Sequence, residues 1–261
     1  MALVHQLGWD PRFGERSRWF WPLAAAAEPL RELADWPSLA QFDALYTRAT
    51  RGQQLPALRF AANVRKQERR VAGRIVLGAL YDARVSRGEV PTRERDWHDL
   101  FNALCFATFP RSKRALHARQ YRALEARVAP GAERLPSVRS REQDALTLFD
   151  EGGVVLAAEP DEARQLTAAE GPERSDLCLQ LIAAERARVV PFGHALFEHL
   201  VEGLRCPGGC TQIIALGALA QADGAFVRRV DSALAQALED PQRFCSPREC
   251  SHVRLEALAI P

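Results

Sequence analysis

The stretch RDWHDLFNALCFATFPRSK, residues 95–113, contains an apolar segment that predicts a buried helix ending before a proline. At about 100° per residue, His98 and Asn102 lie beside the apolar arc, with Asp99 further round. Two phenylalanines in the second half of the segment lie on that same side. Because an exposed face rarely carries two phenylalanine rings, the pattern predicts burial on both sides. His98, Asn102 and, at the margin, Asp99 are therefore predicted to line a polar pocket near the start of the helix.

A buried pocket of this kind needs partners for its hydrogen-bonding groups. The positive end of the helix would favour a small anionic ligand there and would lower the pKa of a nearby histidine. A second imidazole, His194 in PFGHALFEHL, borders the apolar face of another predicted helix. His98, Asp99, Asn102 and His194 are accordingly the candidate catalytic residues. The alternative is structural, since a histidine at the margin of a core is more often a packing residue than a catalytic one.

The segment REQDALTLFDEGG, residues 141–153, predicts a helix with a capping box at its start and a glycine at its end. Asp144 and Glu151 fall on one edge of this helix with a threonine between them, and Asp150 lies on the other margin. Carboxylates in this arrangement could hold a divalent metal ion or position a water. Asp144, Asp150 and Glu151 are therefore the candidate metal ligands. They could equally form a solvated edge that caps a neighbouring helix.

Two close cysteine pairs offer a different kind of metal site towards the C-terminus. Three residues separate Cys206 from Cys210, and four separate Cys245 from Cys250. Thiolates in turn-rich loops bind structural zinc, although these spacings are less specific than paired C-x2-C motifs. A structural zinc site at Cys206, Cys210, Cys245 and Cys250 is thus an alternative prediction, beside free thiols and disulfides.

The composition is that of a globular protein, with 47% hydrophobic and 26% charged residues in a chain of 261. A formal net charge of +2 argues against a protein that coats nucleic acid or membranes through charge alone. No secretory signal is visible, and no window approaches the roughly 20 apolar residues that span a bilayer. We therefore expect a soluble, cytoplasmic protein without a membrane partner.

Charge is nevertheless distributed unevenly along the chain. Residues 111–141 have nine Arg/Lys against two Glu, a balance of +7. Residues 142–185 have eleven Asp/Glu against two Arg, a balance of −9. The two segments would neutralise each other if they lie side by side. Alternatively, the predicted basic helix of residues 111–128 presents a face to an anionic ligand or to nucleic acid.

Helical periodicity dominates the rest of the sequence. It predicts helices over a long arc from Phe60 to about Val85 and over TQIIALGALAQ, residues 211–221. VVLAA is a predicted short strand, and aromatic residues near the N-terminus predict an irregular segment. The expected fold is mainly α, a single compact multi-helix domain with at most one or two short strands. Residues 1–210 form its main part, and the helices and cysteine-bearing tail of residues 211–261 are expected to pack on the same domain.

Three segments together resemble a bacterial family, described as domain of unknown function 3025. They are PTRERDWHDLFNALCFATFPRSKRAL, REQDALTLFDEGGVVL and PFGHALFEHL. The family motifs HD-x-x-N, DALTLFDE-x-G and FGHAL fall on His98, Asp99 and Asn102, on Asp144, Asp150 and Glu151, and on Gly193 and His194. The resemblance runs from about Arg59 to about Leu204, with the aromatic N-terminus included, and the tail after about Thr211 departs from it. It implies a single bacterial, cytoplasmic domain and, because the family is uncharacterised, no particular activity.

The leading hypothesis from these residues is a metal-dependent hydrolase or phosphodiesterase with an internal polar pocket. In it the three acids bind the metal ion, His98 or His194 acts as ligand or general base, and Asn102 orients the substrate. The competing hypothesis is a non-catalytic helical binding or scaffold protein, in which the same residues form a buried hydrogen-bond network. A third is a nucleic-acid-binding protein that uses the basic helix of residues 111–128. The residues alone leave open whether the protein is an enzyme.

Overall fold

The computed structural model describes residues 7–63, 70–71, 74–129, 131–203, 209–219, 223–249 and 251–253. Over this part of the chain, helices and strands alternate, and the strands form sheets of two, two and four members. The fold is therefore mixed α/β, and the prediction of a mainly α fold with at most one or two short strands is wrong. Within the described ranges, no helix combines the length and the apolar character that a bilayer crossing requires.

The helices and strands follow one another along the chain, with short 3-10 turns between some of them. They are α1 (Ala24–Ala27), α2 (Leu39–Ala49), β1 (Arg59–Ala62), β2 (Arg70–Val71), β3 (Arg74–Ile75), α3 (Tyr81–Ser86), β4 (Glu89–Thr92), α4 (Trp97–Thr108), α5 (Pro110–Glu125), α6 (Arg141–Gly152), β5 (Gly153–Ala158), α7 (Pro160–Ala168), α8 (Gly171–Ala183), β6 (Ala187–Pro191), α9 (His194–Val201), β7 (Gly209–Ala215), α10 (Gly224–Glu239) and β8 (Ser251–Val253).

The four-stranded sheet, in the order β6-β5-β7-β8, forms the centre of the molecule. Its strand β5 runs antiparallel to β6 and parallel to β7. All six residues of β5 are buried, because helices cover both faces of the sheet. Val154 and Leu156 point into one hydrophobic cluster and Val155 and Ala157 into another, as the two-residue period of a strand requires.

These two clusters form the core on either side of the sheet. The first cluster contains the aromatic N-terminal segment together with α4 and α9, and its rings include Phe13, Phe20, Trp97, Phe101 and Phe197. The second cluster contains residues of α6, α10 and the loops beside them, and its rings include Phe109, Phe149, Phe192, Phe226 and Phe244. The helix α4 lies in the first cluster, and Phe109, at its end, lies in the second. Phe106, on the side of α4 opposite Trp97, is also in the first cluster, so this cluster contacts the helix on two sides and both are apolar.

Two predicted helices are strands in the structure. The segment TQIIALGALAQ supplies β7, which pairs with β5 from Cys210 to Ala215 and is buried over most of its length. The arc from Phe60 to about Val85 supplies β1, β2, β3 and only the short helix α3, while residues 64–69 and 72–73 lie outside the described ranges. Because β7 is buried on both faces, its sequence shows no strand period that would distinguish it from a helix. The strands β1, β2 and β3 have only two to four residues each, which is too short to show a period.

Helix α6 begins and ends where its sequence signals predict, and α4 ends before Pro110 as predicted. Ser140 and Gln143 form the expected capping box at the start of α6, which ends at Gly152. The side chain of Asp96 accepts a hydrogen bond from the backbone of Asp99 at the start of α4. The predicted strand VVLAA lies within β5. The predicted basic helix is α5, which begins at Pro110.

Candidate metal centre

Three side chains from separate helices meet at one point at the rim of the first hydrophobic cluster. His98 Nε2 lies 3.0 Å from His194 Nε2, and His194 Nε2 lies 3.4 Å from Glu151 Oε2. Each of the three offers one ligand atom, and these atoms lie within 4.8 Å of one another. His98 is in the first turn of α4, Glu151 is in the last turn of α6, and His194 is the first residue of α9.

Gly193 allows two of these helices to approach each other. A Cβ atom at this position would lie 2.4 Å from the carbonyl oxygen of Glu151 and 2.4 Å from the backbone nitrogen of Gly153. The backbone nitrogens of Phe192 and Gly193 both donate to the carbonyl oxygen of Gly153 at 2.9 Å. Only glycine fits such a close backbone approach. The chain leaving β6 therefore passes against the end of α6, and His194 follows immediately.

The buried imidazole of His194 is held in one tautomer. Its Nδ1 lies 2.8 Å from the backbone carbonyl oxygen of Asp150, which can only accept a hydrogen bond. The proton is therefore on Nδ1, and the lone pair of Nε2 faces His98 and Glu151. The Asp150 carbonyl is free to accept because it is among the last four of α6, which have no partner within the helix.

His98 is oriented in the same way by a carboxylate. Its Nδ1 lies 2.9 Å from Glu198 Oε2, in the helix that begins with His194. The Nδ1 proton is donated to Glu198, so in the neutral ring Nε2 of His98 also directs a lone pair towards the meeting point. Histidines that bind metal ions almost always donate their other ring N–H to a carboxylate or a backbone carbonyl. Both histidines meet that condition.

The pKa shifts follow from burial and from the neighbouring charges. Burial lowers the pKa of His194 well below its ordinary value, and the Lys113 ammonium lowers it further. Burial also disfavours a charged His98, but its hydrogen bond with Glu198 and the charge of Glu151 leave its pKa raised. The expectation that the helix end lowers the pKa of a nearby histidine is thus wrong for His98. Burial and the charge of Asp150 raise the pKa of Glu151.

Two facing lone pairs repel each other unless a cation lies between them. At 3.0 Å the two Nε2 atoms are within hydrogen-bond distance, so a proton on one of them removes this repulsion in the metal-free protein. A metal ion at the same point would replace that proton and take both lone pairs as ligands.

A family model described as protein of unknown function (DUF3025) matches residues 71–258, which is well over half of the chain. The chain belongs to the DUF3025 family. The matched residues include His98, Glu151 and His194, and they confirm the resemblance found in the sequence. The match begins after Arg59 and reaches past Thr211, so the C-terminal tail that was expected to depart from the family lies within it. Searches of curated proteins and of solved structures gave no match.

The other predicted site residues of this DUF3025 protein lie outside the triad. Asp99 accepts hydrogen bonds from the backbone and the guanidinium of Arg93. Asn102 is buried and donates to the hydroxyl of Tyr81 at 2.8 Å. Asp144 is in the first turn of α6, about 10 Å along the helix from Glu151. These residues are near neighbours in sequence but do not reach the meeting point.

Asp150, the remaining predicted ligand, turns into the protein. Its carboxylate accepts from the buried Lys113 ammonium and lies 3.8 Å from nitrogens of His117 and His194. Burial alone would raise the pKa of Asp150, but the charge of Lys113 and the two imidazoles hold it well below its usual value. Asp150 is therefore an ionised neighbour of the centre, and its carboxylate lies on the Nδ1 side of His194, away from the meeting point.

Sequence reasoning did not select Glu198, Lys113 or His117 for this region. A signal existed for two of them, because Glu198 follows His194 by four residues and His117 follows Lys113 by four. Side chains at this spacing lie on one face of a helix. Because Glu198 shares a helix face with the candidate ligand His194, the sequence could have indicated Glu198 as a neighbour of the site. Nothing in the local pattern indicates that Lys113 is buried.

The four cysteines do not form a four-thiolate set in this structure. Cys210 is disulfide-bonded, and a disulfide sulfur is not the thiolate that zinc binds. Cys245 is exposed and free, whereas Cys206 and Cys250 lie outside the described residues. A zinc site at these cysteines stays a prediction that would require a reduced Cys210.

The basic helix of the DUF3025 protein uses several of its cations internally. Arg114 donates to the Tyr46 hydroxyl and to the carbonyl oxygens of residues 56 and 57. Arg119 donates to Glu142 and to two carbonyls at the end of α10. Lys113 is the buried partner of Asp150. The Arg119–Glu142 pair joins the basic segment to the acidic one, as neutralisation between the two segments requires.

Proposed function

We propose that this DUF3025 protein is a hydrolase that uses one divalent transition-metal ion held by His98, His194 and Glu151. The observation that carries the proposal is the pair of imidazole Nε2 atoms that face one point, 3.0 Å apart, each ring oriented by an acceptor on its Nδ1. Zinc–nitrogen bonds of about 2.0–2.1 Å place two ligand nitrogens of a tetrahedral ion about 3.3 Å apart. The separation of 3.0 Å is close to this value before any adjustment to an ion.

The ligand set favours a catalytic ion over a structural one. Structural zinc is bound by four protein ligands, whereas three protein ligands leave a position for water or substrate. The side chains of Glu151 and His98 are 45% and 29% exposed, so the open position faces solvent. Two imidazoles and one carboxylate suit zinc, iron, cobalt or nickel, and they disfavour magnesium and calcium, which take oxygen ligands.

The surroundings suit hydrolysis by polarisation of a water or of a substrate oxygen. A bound divalent ion acts as a Lewis acid towards either. The starts of α4 and α9 both lie at the centre, and the positive ends of two helices stabilise negative charge that develops there. An acyl or phosphoryl group is therefore the substrate chemistry that we propose.

A second candidate function follows from the same ligands. Two histidines and one carboxylate also form the set that holds Fe(II) in oxygenases. Metal preference and reactivity distinguish the two, because a hydrolase works with zinc and without oxygen. Retention of iron over zinc, with oxygen consumption, would contradict the hydrolase and support the oxygenase.

The first test is metal binding by purified protein that has been stripped with a chelator. We expect zinc and cobalt to bind and to raise the melting temperature, with magnesium ineffective. Saturation at 100 times Kd adds about 2.7 kcal/mol to the free energy of unfolding, which corresponds to a rise of about 5–10 °C. His98→Ala, His194→Ala and Glu151→Gln should each weaken zinc binding by at least about 100-fold.

Asp144→Asn is the matched control, since Asp144 is in the same helix as Glu151 but about two turns away. It should bind zinc as the unchanged protein does. Hydrolysis of chromogenic esters and phosphodiesters should be lost in the ligand variants and kept in the control. A protein that binds none of these ions, and in which His98→Gln lowers only stability, would instead support the buried structural network.

A further inference from the structure

A buried ion pair lies directly behind the candidate metal centre. The Lys113 side chain is 0% exposed, and its Nζ donates to Asp150 Oδ1 at 2.5 Å. The same ammonium lies 4.9 Å from the centre of the Phe106 ring. The other carboxylate oxygen of Asp150 lies 3.8 Å from His117 Nε2 and 3.8 Å from His194 Nδ1. Asp150 thus connects a cation in α5 to a metal ligand in α9.

Asp150 has a second link to the centre through its backbone. Its carbonyl oxygen accepts the Nδ1 proton of His194, and the next residue in the chain is Glu151. Both acidic residues are in the last turn of α6, where the backbone carbonyls lack partners within the helix. The ion pair of the Asp150 side chain therefore helps to fix both the acceptor for His194 and the backbone that carries Glu151, beside the contacts of Gly193 and the pairing of β5.

We propose that Lys113 is a positioning residue of the metal centre, which acts through Asp150 to fix the last turn of α6. The inference rests on the proposed function, because positioning matters only if the triad binds metal. Stability alone gives a weak reason for the pair, since buried ion pairs are often no more stabilising than apolar residues of similar volume. Groups behind metal ligands typically change metal affinity by about 10- to 100-fold.

The pair also selects which of two adjacent carboxylates faces the ion. The side chain of Asp150 is 11% exposed and that of Glu151 is 45% exposed, so they point in different directions. With one oxygen bonded to the ammonium, Asp150 stays inside the protein. Lys113 thus leaves Glu151 as the carboxylate ligand.

The test is the double variant Lys113→Met/Asp150→Leu, which removes both charges and leaves no buried charge unpaired. We expect it to fold, to bind zinc about 10- to 100-fold more weakly, and to show an altered visible absorption spectrum when loaded with cobalt. Nitrogen-15 NMR of the metal-free protein adds a readout of geometry. His194 should be a single Nδ1–H tautomer in the unchanged protein and a mixture of tautomers in the double variant.

A milder variant, Lys113→Gln/Asp150→Asn, keeps a hydrogen bond without charge and serves if the first does not fold. It should weaken zinc binding in the same direction. Asp231→Asn is the matched control, because Asp231 is buried and accepts from the backbone of Arg111 and Ser112 at the start of the same helix α5. It should leave zinc affinity and the His194 tautomer unchanged, whatever its effect on stability.

The outcomes separate this inference from the proposed function. If the unchanged protein binds zinc and a folded double variant binds it equally well with the same cobalt spectrum, Lys113 is not a positioning residue and the hydrolase proposal stands. If the unchanged protein binds no zinc or cobalt, the proposed function fails and the inference fails with it.

Discussion

A single missing methyl group at Gly193 determines how closely α9 approaches α6. A Cβ atom there would overlap the backbone of Glu151 and Gly153. Gly193→Ala should therefore push His194 away from the triad and lower the free energy of unfolding by about 1–3 kcal/mol. Zinc affinity should fall by at least about tenfold, as measured by competition with a chromogenic chelator.

Gly152→Ala is the control for that change. A Cβ atom at Gly152 meets nothing within 4 Å, although the residue is directly next to Glu151 in the sequence. Alanine also forms helices more readily than glycine, so this variant should be neutral or slightly more stable. If both alanine variants bind zinc as the unchanged protein does, close packing at Gly193 is not what positions His194.

At the residue scale, the sequence predicted that histidines and acidic residues form the site and that His98 faces it from the start of α4. It did not predict which of these residues come together as a ligand set. Asp150 and Glu151 were both expected to bind metal, yet neighbours on a helix point about 100° apart and cannot face one ion equally. Which of the two carboxylates faces the centre depends on Lys113, which lies in a different helix and binds Asp150. His98 and His194 are 96 residues apart, and no local pattern predicts that they meet.

At the element scale, helices with polar ends were predictable and buried strands were not. The capping box of Ser140 and Gln143 marked the start of α6, because unpaired backbone N–H groups there need an acceptor. By contrast, β7 is buried on both faces, including the polar Thr211 and Gln212, so its sequence lacks the alternation of polar and apolar residues that marks a half-exposed strand. What covers each face is set by distant parts of the chain.

The contact between α5 and α10 gives a pH-dependent prediction. Burial raises the pKa of Asp231 to about 6, although hydrogen bonds from Ser112 and Arg111 act against the shift. A group whose pKa is raised on folding stabilises the folded state below its unfolded pKa of about 4, and this contribution is lost as pH rises through about 6. A shift of about two units corresponds to about 3 kcal/mol.

The measurement compares denaturant unfolding of the unchanged protein and of Asp231→Asn between pH 4 and pH 7. Relative to the variant, the unchanged protein should lose stability as the pH rises. The difference must be used because Asp150, whose pKa is lowered, contributes stability that is lost in the opposite direction, as pH falls. Parallel curves for the two proteins would rule out a titrating Asp231.

At the scale of the whole molecule, the triad joins the two hydrophobic clusters. His98 and His194 are in helices that pack in the first cluster, and Glu151 ends a helix that packs in the second. Phe101→Ala in the first cluster and Phe226→Ala in the second should each lower the free energy of unfolding by about 3–5 kcal/mol. Both should release cobalt in the same transition that changes tryptophan fluorescence.

Tryptophan fluorescence reports mainly on the first cluster, because four of the five tryptophans pack there and Trp21 packs against the second. The experiment therefore tests whether the two clusters unfold together. Coincident transitions in both variants indicate one cooperative unit. If Phe226→Ala released cobalt while the fluorescence transition stayed in place, the two clusters would unfold independently.

The junction between α6 and β5 has no loop, because Gly152 ends the helix and Gly153 begins the strand. The backbone of a loop can move to adjust a side chain to an ion. The backbone of Glu151 is restrained, because two residues later the chain is hydrogen-bonded in the sheet. The distances between the ligand atoms of Glu151, His98 and His194 would then change little when an ion binds. Selectivity among ions of different radius would therefore be determined by the rigidity of the α6–β5 junction.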